Sequence, residues 1–142
     1  MTVQRRSVHA CTGRAGATPR HLQLTLPACG QPVRLARQVT REVLCAWRLA
    51  DVEETAVLLV SELVSNVVRH ANGGDVITLE LKAIQTCLRI EAYRCQPGLV
   101  APRSAGEFDD LGFGCALVES LARNWGVRET VTGTIIWAEL DT

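Results

Sequence analysis

The sequence is poor in lysine, in aromatic residues and in long apolar runs. Lys82 is the only lysine beside fourteen arginines, and Phe, Trp and Tyr together number six. No uncharged apolar stretch approaches the roughly eighteen residues of a membrane-spanning helix, so we expect no membrane partner. The six cysteines contain no CxxC pair, which excludes the usual ligand spacing of a zinc site. We expect most of them to be small, buried, reduced side chains and the protein to be cytoplasmic.

The formal charge is zero, but the charges are unevenly distributed. Residues 1–50 contain eight arginines and one acid, and residues 51–142 contain seven basic residues and fourteen acids. Part of the basic charge forms an arginine stripe on the first predicted helix, whose members are Arg34, Arg37, Arg41 and Arg48. No nucleic-acid recognition motif or interleaved aromatic residue accompanies this arginine stripe. We therefore expect it to dock a protein, and expect no nucleic-acid partner.

Alternation and helical periodicity predict five strands and three helices in one domain. We expect residues 1–20 to be a flexible basic tail and residues 21–142 to form the domain. The predicted elements are a strand over 21–26, helices over 32–49 and 52–70, strands over 76–84 and 87–93, a helix over about 115–125, and strands over 127–131 and 134–140. Together they predict an α+β two-layer sandwich, in which a mixed, mostly antiparallel sheet is covered by helices.

Local signals predict how the helices face and where they end. Asp51 followed by Glu54 has the form of a capping box for the second helix. Gly126 is expected to end the third helix. The core-facing arc of the first helix is predicted to consist of Leu35, Val39, Val43, Ala46 and Trp47. Residues 94–111, which are rich in Pro and Gly, form a loop long enough to be functional in so small a domain.

The second predicted helix carries a polar stripe opposite its apolar face. Glu62 and Asn66 are i,i+4 neighbours, and His70 lies one more turn along. The same spacing is also expected of an amphipathic helix whose polar face is exposed to solvent and has no further role. Gly112 and Gly114 precede the third helix, where backbone N–H groups and the helix dipole favour an anion. A plain loop-to-helix turn is the alternative for these glycines.

Three short motifs resemble those of one ATPase family. The N box of the GHKL, or Bergerat, ATPases has the pattern ExxxNxxxHA, and residues 62–71 resemble it. Residues 110–118 resemble the family's second glycine box, and Gly133-Thr134 resembles the GT that precedes its last strand. The size, Trp47 and the ending Trp125-Gly126-Val127 are most similar to bacterial, especially actinobacterial, anti-sigma-factor serine/threonine kinases. The resemblance covers residues 22–140, with the three boxes in the family's order.

This resemblance implies a histidine-kinase-like ATPase fold and an enzyme that uses ATP and Mg²⁺. It implies that Asn66 holds Mg²⁺ and that Glu62 is the catalytic base or orienter for an attacking hydroxyl. It assigns nucleotide contacts to Asn66, His70, Gly112, Gly114 and Thr134, and a mobile lid to residues 98–111. The implied substrate is a Ser or Thr of an anti-sigma-antagonist protein. The implied partners are that antagonist and a sigma factor, with a homodimer and a role in transcription regulation also expected.

One position departs from the family pattern. Arg94 stands where the first glycine box carries an Asp that accepts a hydrogen bond from the adenine amino group. A guanidinium has five donors and no acceptor, and such a mismatch costs about 1–3 kcal/mol. Phe113 also stands where actinobacterial relatives often have Arg. Two interpretations stay open: an active serine/threonine kinase, and a degenerate Bergerat-fold protein-binding module with weak or no nucleotide binding.

Overall fold

A computed structural model of the chain describes residues 2–4, 20–72, 74–95, 112–131 and 133–142. Three α-helices are present in these ranges: α1 (Pro32–Ala46), α2 (Glu53–Arg69) and α3 (Gly112–Leu121). A 3-10 turn, Ala50–Val52, precedes α2. The strands are β1 (Thr2–Gln4), β2 (Arg20–Pro27), β3 (Val76–Ile84), β4 (Cys87–Cys95), β5 (Asn124–Thr130) and β6 (Gly133–Asp141). The helices and strands predicted within residues 21–142 are therefore all present, with shifted ends.

The strands form one sheet in the order β1-β5-β6-β4-β3-β2. Every neighbouring pair among these described strands is antiparallel, so the sheet is not mixed as predicted. The reason lies in the connections: β3–β4 and β5–β6 are hairpins, and the two helices between β2 and β3 return the chain in the opposite direction. The predicted α+β two-layer architecture is confirmed.

The hydrophobic core lies between the sheet and the helices. Alternate residues of the central strands are buried against α2, since successive strand residues point to opposite faces of the sheet. The strand side of the core includes Leu79, Leu81, Leu88, Ile90, Ile136 and Ala138, and the α2 side includes Leu59, Val60, Leu63 and Val64, all with at most 1% exposure. This packing holds α2 across β3, β4 and β6.

The face that the first helix turns to the core overlaps only in part with the predicted arc, of which Val43 and Trp47 pack against the core. Its buried positions follow a four-residue spacing, whereas Leu35 of the predicted arc is 45% exposed. These positions are Pro32, Ala36, Thr40 and Leu44. The Thr40 hydroxyl donates to the Ala36 carbonyl at 2.7 Å, so a polar residue is satisfied on the buried face. A count of apolar residues overlooks such a position. The arginine stripe is exposed, as predicted.

The first helix also ends at Ala46, before the predicted Leu49. Arg48 has a φ of 59°, and its N–H donates to the Cys45 carbonyl at 3.1 Å. The Leu49 N–H donates to the Leu44 carbonyl at 2.8 Å. These two bonds form a Schellman motif, which usually has Gly at the left-handed position. Arg48 occupies that position, so no glycine marks the end of the helix in the sequence.

The predicted capping box at the start of the second helix is wrong. The N-cap is Val52, and it makes no side-chain capping bond. Asp51 lies instead within the 3-10 turn Ala50–Val52. Because this turn supplies the entry to α2, Asp51 is one residue too early to cap the first α-helical turn. Glu53 and Glu54 still place negative charge in that turn, where the helix dipole favours it.

The predicted end of the third helix is also wrong. Helix α3 ends at Leu121, and both Trp125 and Gly126 belong to β5. Trp125 is 4% exposed, and its partner in the ladder is Ala138 of β6. Burial of the indole within the sheet overrides the helix-ending signal of the glycine.

Several expectations concern termini, loops and cysteines. Thr2–Gln4 and Arg20 lie in strands, and the remainder of the predicted tail lies outside the described residues, as does the predicted lid, 98–111. Cys29 and Cys45 are exposed, contrary to prediction, because one follows β2 in a loop and the other lies on the solvent side of α1. Cys87 is buried but disulfide-bonded. Among the described helices, none combines the length and apolar character that a bilayer crossing requires.

Candidate functional site

The polar stripe of α2 is buried at its centre. Asn66 is 0% exposed, and within the described residues neither its Oδ1 nor its Nδ2 has a hydrogen-bond partner. Glu62, one turn earlier, is half-buried. A solvated helix face does not account for a fully buried amide. Because an unpaired buried polar group costs about 1–3 kcal/mol, Asn66 points to a ligand rather than to a role in stability.

His70 is the C-cap of α2, at the end of the same stripe. Its backbone N–H donates to the Val67 carbonyl at 3.3 Å, and its own carbonyl accepts a hydrogen bond from Arg94 Nη1. A cation at a helix C-terminus is also favoured by the helix dipole. The structure therefore joins His70 directly to Arg94, the residue that departs from the family pattern.

Arg94 is also held by an acid of this chain. Its Nη1 lies 3.3 Å from Asp75 Oδ2, and the two side chains are 14% and 10% exposed. The Asp75 carboxylate accepts the Asn72 N–H at 2.7 Å, and the Asp75 carbonyl accepts the Ala28 N–H at 3.0 Å. Both partners are thus fixed by several bonds, which orients the guanidinium. Within the described part of the chain, Arg94 Nε and Nη2 have no hydrogen-bond partner.

Asp75 was not among the site residues predicted from the sequence. A signal for the pair was present in the predicted hairpin. With a two-residue loop, Arg94 pairs across the strands with Ile77, as observed. Asp75 lies two residues before Ile77 on the same side of the strand, so it is a diagonal neighbour of Arg94. Opposite charges at such positions predict an ion pair.

Arg94 and Thr134 line the same pocket, of about 250 Å³, where β4 ends and the β5–β6 turn begins. The other lining residues are Tyr93, Thr130, Gly133 and Ile135. Gly133 has a φ of 148°, and a Cβ added there would lie 3.3 Å from the Arg94 carbonyl oxygen. A side chain at this position would therefore be strained as well as crowded. Glycine allows the predicted Gly-Thr segment to approach the end of β4.

Gly112 and Gly114 lie in the first turn of α3, not in a loop before it. Helix α3 begins at Gly112, earlier than the predicted start near residue 115. The first N–H groups of a helix have no intrahelical acceptor. Those N–H groups are suited to an anion. Helix α3 packs against α2, and Val118 of α3 is fully buried.

ATP and Mg²⁺ can be tested against these residues, one end of the nucleotide at a time. At the phosphate end, Asn66 offers an unpaired amide oxygen of the kind that Mg²⁺ accepts, and the start of α3 offers N–H groups. The metal and phosphates therefore fit. At the base end, Arg94 offers donors only, so it does not fit the amino group of adenine.

Comparison with known proteins places most of the chain in one family model. Residues 26–140 match the protein-family model described as the Histidine kinase-like ATPase domain. The matched range includes the polar stripe, Arg94, both glycines and Thr134. No match was found among the curated proteins.

Proposed function

The chain belongs to the histidine kinase-like ATPase domain family, and from that membership we propose that it is a regulatory serine/threonine kinase. Membership makes it an ATP-binding protein of the GHKL type. The finer proposal is transfer of the γ-phosphate to a Ser or Thr of an anti-sigma-antagonist protein, with control of a sigma factor as the outcome. The observation that carries it is the buried amide of Asn66, which has no hydrogen-bond partner among the described residues and lies one helical turn from half-buried Glu62.

Each residue of the stripe has a distinct role in this proposal. Bound Mg²⁺·ATP supplies a phosphoryl group whose negative charge the metal partly neutralises. Asn66 would hold the metal through Oδ1, and the N–H groups at Gly112 and Gly114 would hold phosphate oxygens. Glu62, spaced one turn from Asn66, would accept the proton of the attacking hydroxyl. His70 would order the end of α2 next to Arg94.

The proposal is tested by separating nucleotide binding from transfer. Asn66→Ala should abolish the Mg²⁺-dependent part of nucleotide binding in a calorimetric titration. Glu62→Gln should retain that binding and lose transfer of ³²P from the γ-position to an antagonist protein. The phosphoryl bond formed should be acid-stable, as expected for Ser or Thr and not for His. Equal Mg²⁺-dependent binding by the wild type and Asn66→Ala would contradict the proposed role of the amide.

A second candidate function is a protein-binding module without nucleotide. It is favoured by Arg94, which is held by Asp75 and the His70 carbonyl at the base end of the site. In that case the fold supplies a partner surface and the stripe of α2 is a remnant. Absence of any thermal shift with millimolar Mg²⁺·ATP or Mg²⁺·GTP would favour this candidate over the kinase.

The arginine stripe supports a protein partner under both candidates. Arg34, Arg37 and Arg41 line a groove of about 470 Å³, together with Pro32 and Val68. An acidic partner surface would complement this charge. Arg37→Glu combined with Arg41→Glu should prevent antagonist or sigma-factor binding and leave the nucleotide titration unchanged. If the double variant still binds its partner, the arginine stripe is not part of the interface.

A further inference from the structure

The geometry points to a nucleotide base other than adenine: we propose that the pocket at Arg94 selects a 6-oxopurine, such as guanine. This inference rests on the proposed nucleotide site and specifies the class of base that it takes. Arg94 cannot accept a hydrogen bond from the amino group of adenine. Its Nε and Nη2 take no part in the ion pair with Asp75 and can donate to a different base.

The contacts of Arg94 involve one corner of its guanidinium. Nη1 donates to the His70 carbonyl and lies 3.3 Å from Asp75 Oδ2, whereas Nε and Nη2 have no partner within the described residues. One N–H of Nε and one of Nη2 point in the same direction, as the planar fork of arginine requires. Two parallel donors therefore remain on the side chain of Arg94, a residue that lines the 250 Å³ pocket.

Two parallel donors match the edge of guanine and not that of adenine. Guanine presents two neighbouring acceptors, O6 and N7, and arginine pairs with both. Adenine presents N7 as an acceptor but carries the N6 amino donor beside it. With adenine, one N–H of Arg94 would face another donor and would lose its hydrogen bond on desolvation.

The ion pair also argues against a phosphate at this pocket. Asp75 balances the charge of Arg94 at 3.3 Å, and both side chains are largely buried. An incoming phosphate would meet the Asp75 carboxylate as well as the guanidinium. A neutral base edge with two acceptors uses the remaining donors without adding charge. Thr134 lines the same pocket, and its hydroxyl would provide a further polar contact for a base.

Calorimetry of the full chain with four Mg²⁺ complexes tests the inference. The ligands are GTP, inosine triphosphate, ATP and inorganic triphosphate. GTP and inosine triphosphate, which share O6 and N7, should bind about ten- to a hundredfold more tightly than ATP. ATP binding as tight as GTP binding would overturn the base preference and leave the proposed kinase function standing. Failure of all four ligands to bind would overturn both.

Variants of Arg94 provide the second arm. Glutamine pairs with N6 and N7 of adenine, so Arg94→Gln should reverse the GTP-to-ATP preference without changing binding of inorganic triphosphate. Arg94→Lys keeps the positive charge but lacks the two parallel donors of arginine, so it should reduce the preference for GTP over ATP to a few-fold. This variant tests the inference if Arg94→Gln does not fold. Arg69→Gln, at the exposed end of α2, is the matched control and should leave the ratio unchanged. An unchanged ratio in a folded Arg94→Gln or Arg94→Lys protein would overturn the inference.

Discussion

Asp75 Oδ2 and Arg94 Nη1 lie 3.3 Å apart where the end of α2, the start of β3 and the end of β4 meet. The same nitrogen donates to the carbonyl of His70, and the same carboxylate oxygen accepts the N–H of Asn72. The pair therefore connects the predicted nucleotide helix to the sheet. Arg94 itself presents only donors there, at a position where the family pattern has an acid.

Removing the acid of this pair should destabilise the fold strongly. Asp75→Ala leaves Arg94 largely buried without its counter-charge and leaves the Asn72 N–H without its carboxylate acceptor. We expect a loss on the order of 3 kcal/mol in the free energy of unfolding, measured by urea titration. Asp141→Ala breaks an exposed ion pair with Arg123 and serves as the control, with little change in the unfolding midpoint. A similar small effect for both variants would show that the buried pair is not structurally important.

Removing the unpaired amide of Asn66 should stabilise the fold and abolish nucleotide binding. Asn66→Leu replaces a buried polar group that has no partner in the described chain by an apolar group of similar size. We expect the free energy of unfolding without ligand to rise by about 1–3 kcal/mol. Asn124 is 1% exposed and its amide is also unpaired among the described residues, so Asn124→Val should stabilise without affecting the nucleotide titration. Destabilisation by Asn66→Leu would indicate that the amide has a structural partner.

Glycine should be better than arginine at the end of α1. Arg48 has a φ of 59°, so Arg48→Gly relieves left-handed backbone strain and should add about 0.5–1 kcal/mol to stability. Arg37→Gly, at an exposed position within the same helix, should instead cost about 1 kcal/mol. Thermal unfolding of the two variants beside the wild type gives opposite shifts if the Schellman motif is present, and shifts of the same sign if it is not.

Acid stability should depend on Glu80. Burial would raise the pKa of this carboxyl, but Lys82 at 3.1 Å, the Tyr93 hydroxyl and His21 together lower it below the usual 4.5. A lowered pKa in the folded state stabilises the protein above pH 4.5, and this contribution is lost as pH falls through the folded-state value. The free energy of unfolding should therefore fall less steeply on acidification in Glu80→Gln than in the wild type. Identical slopes below pH 5 would rule out this contribution.

Local patterns predicted the elements of the fold well. Strands β2, β3 and β4 were predicted because one apolar face produces strict alternation, as at Leu22, Leu24 and Leu26. Helix α2 was predicted because its apolar residues recur at helical spacing. The boundaries that failed depend on tertiary contacts. Trp125 is drawn into β5 by its burial, and the end of α1 is set by two backbone bonds around a non-glycine residue.

In the candidate site, too, local patterns predicted some features, and others depend on tertiary contacts. Glu62, Asn66 and His70 share one helix, so their common face followed from spacing alone, but the burial of Asn66 did not. That burial depends on how α2 packs on the sheet. The link between Arg94 and Asp75 joins residues that are nineteen positions apart. The hairpin register makes them diagonal neighbours, so their opposite charges predict the ion pair. The contact of Arg94 with the His70 carbonyl cannot be predicted in this way, because it depends on how α2 packs on the sheet.

The position of β6 between β5 and β4 has a consequence for synthesis of the protein. The last strand of the domain joins the β1-β5 pair to the β4-β3-β2 half of the sheet, and it supplies Ile136, Ala138 and Leu140 to the core. A nascent chain that has not yet released residues 133–141 from the ribosome therefore lacks the centre of its sheet. Since the pairing of β6 with β4 spans roughly a third of the chain, we expect the sheet to be completed only after this strand has been translated, and ribosome-bound chains to expose apolar surface to chaperones until then.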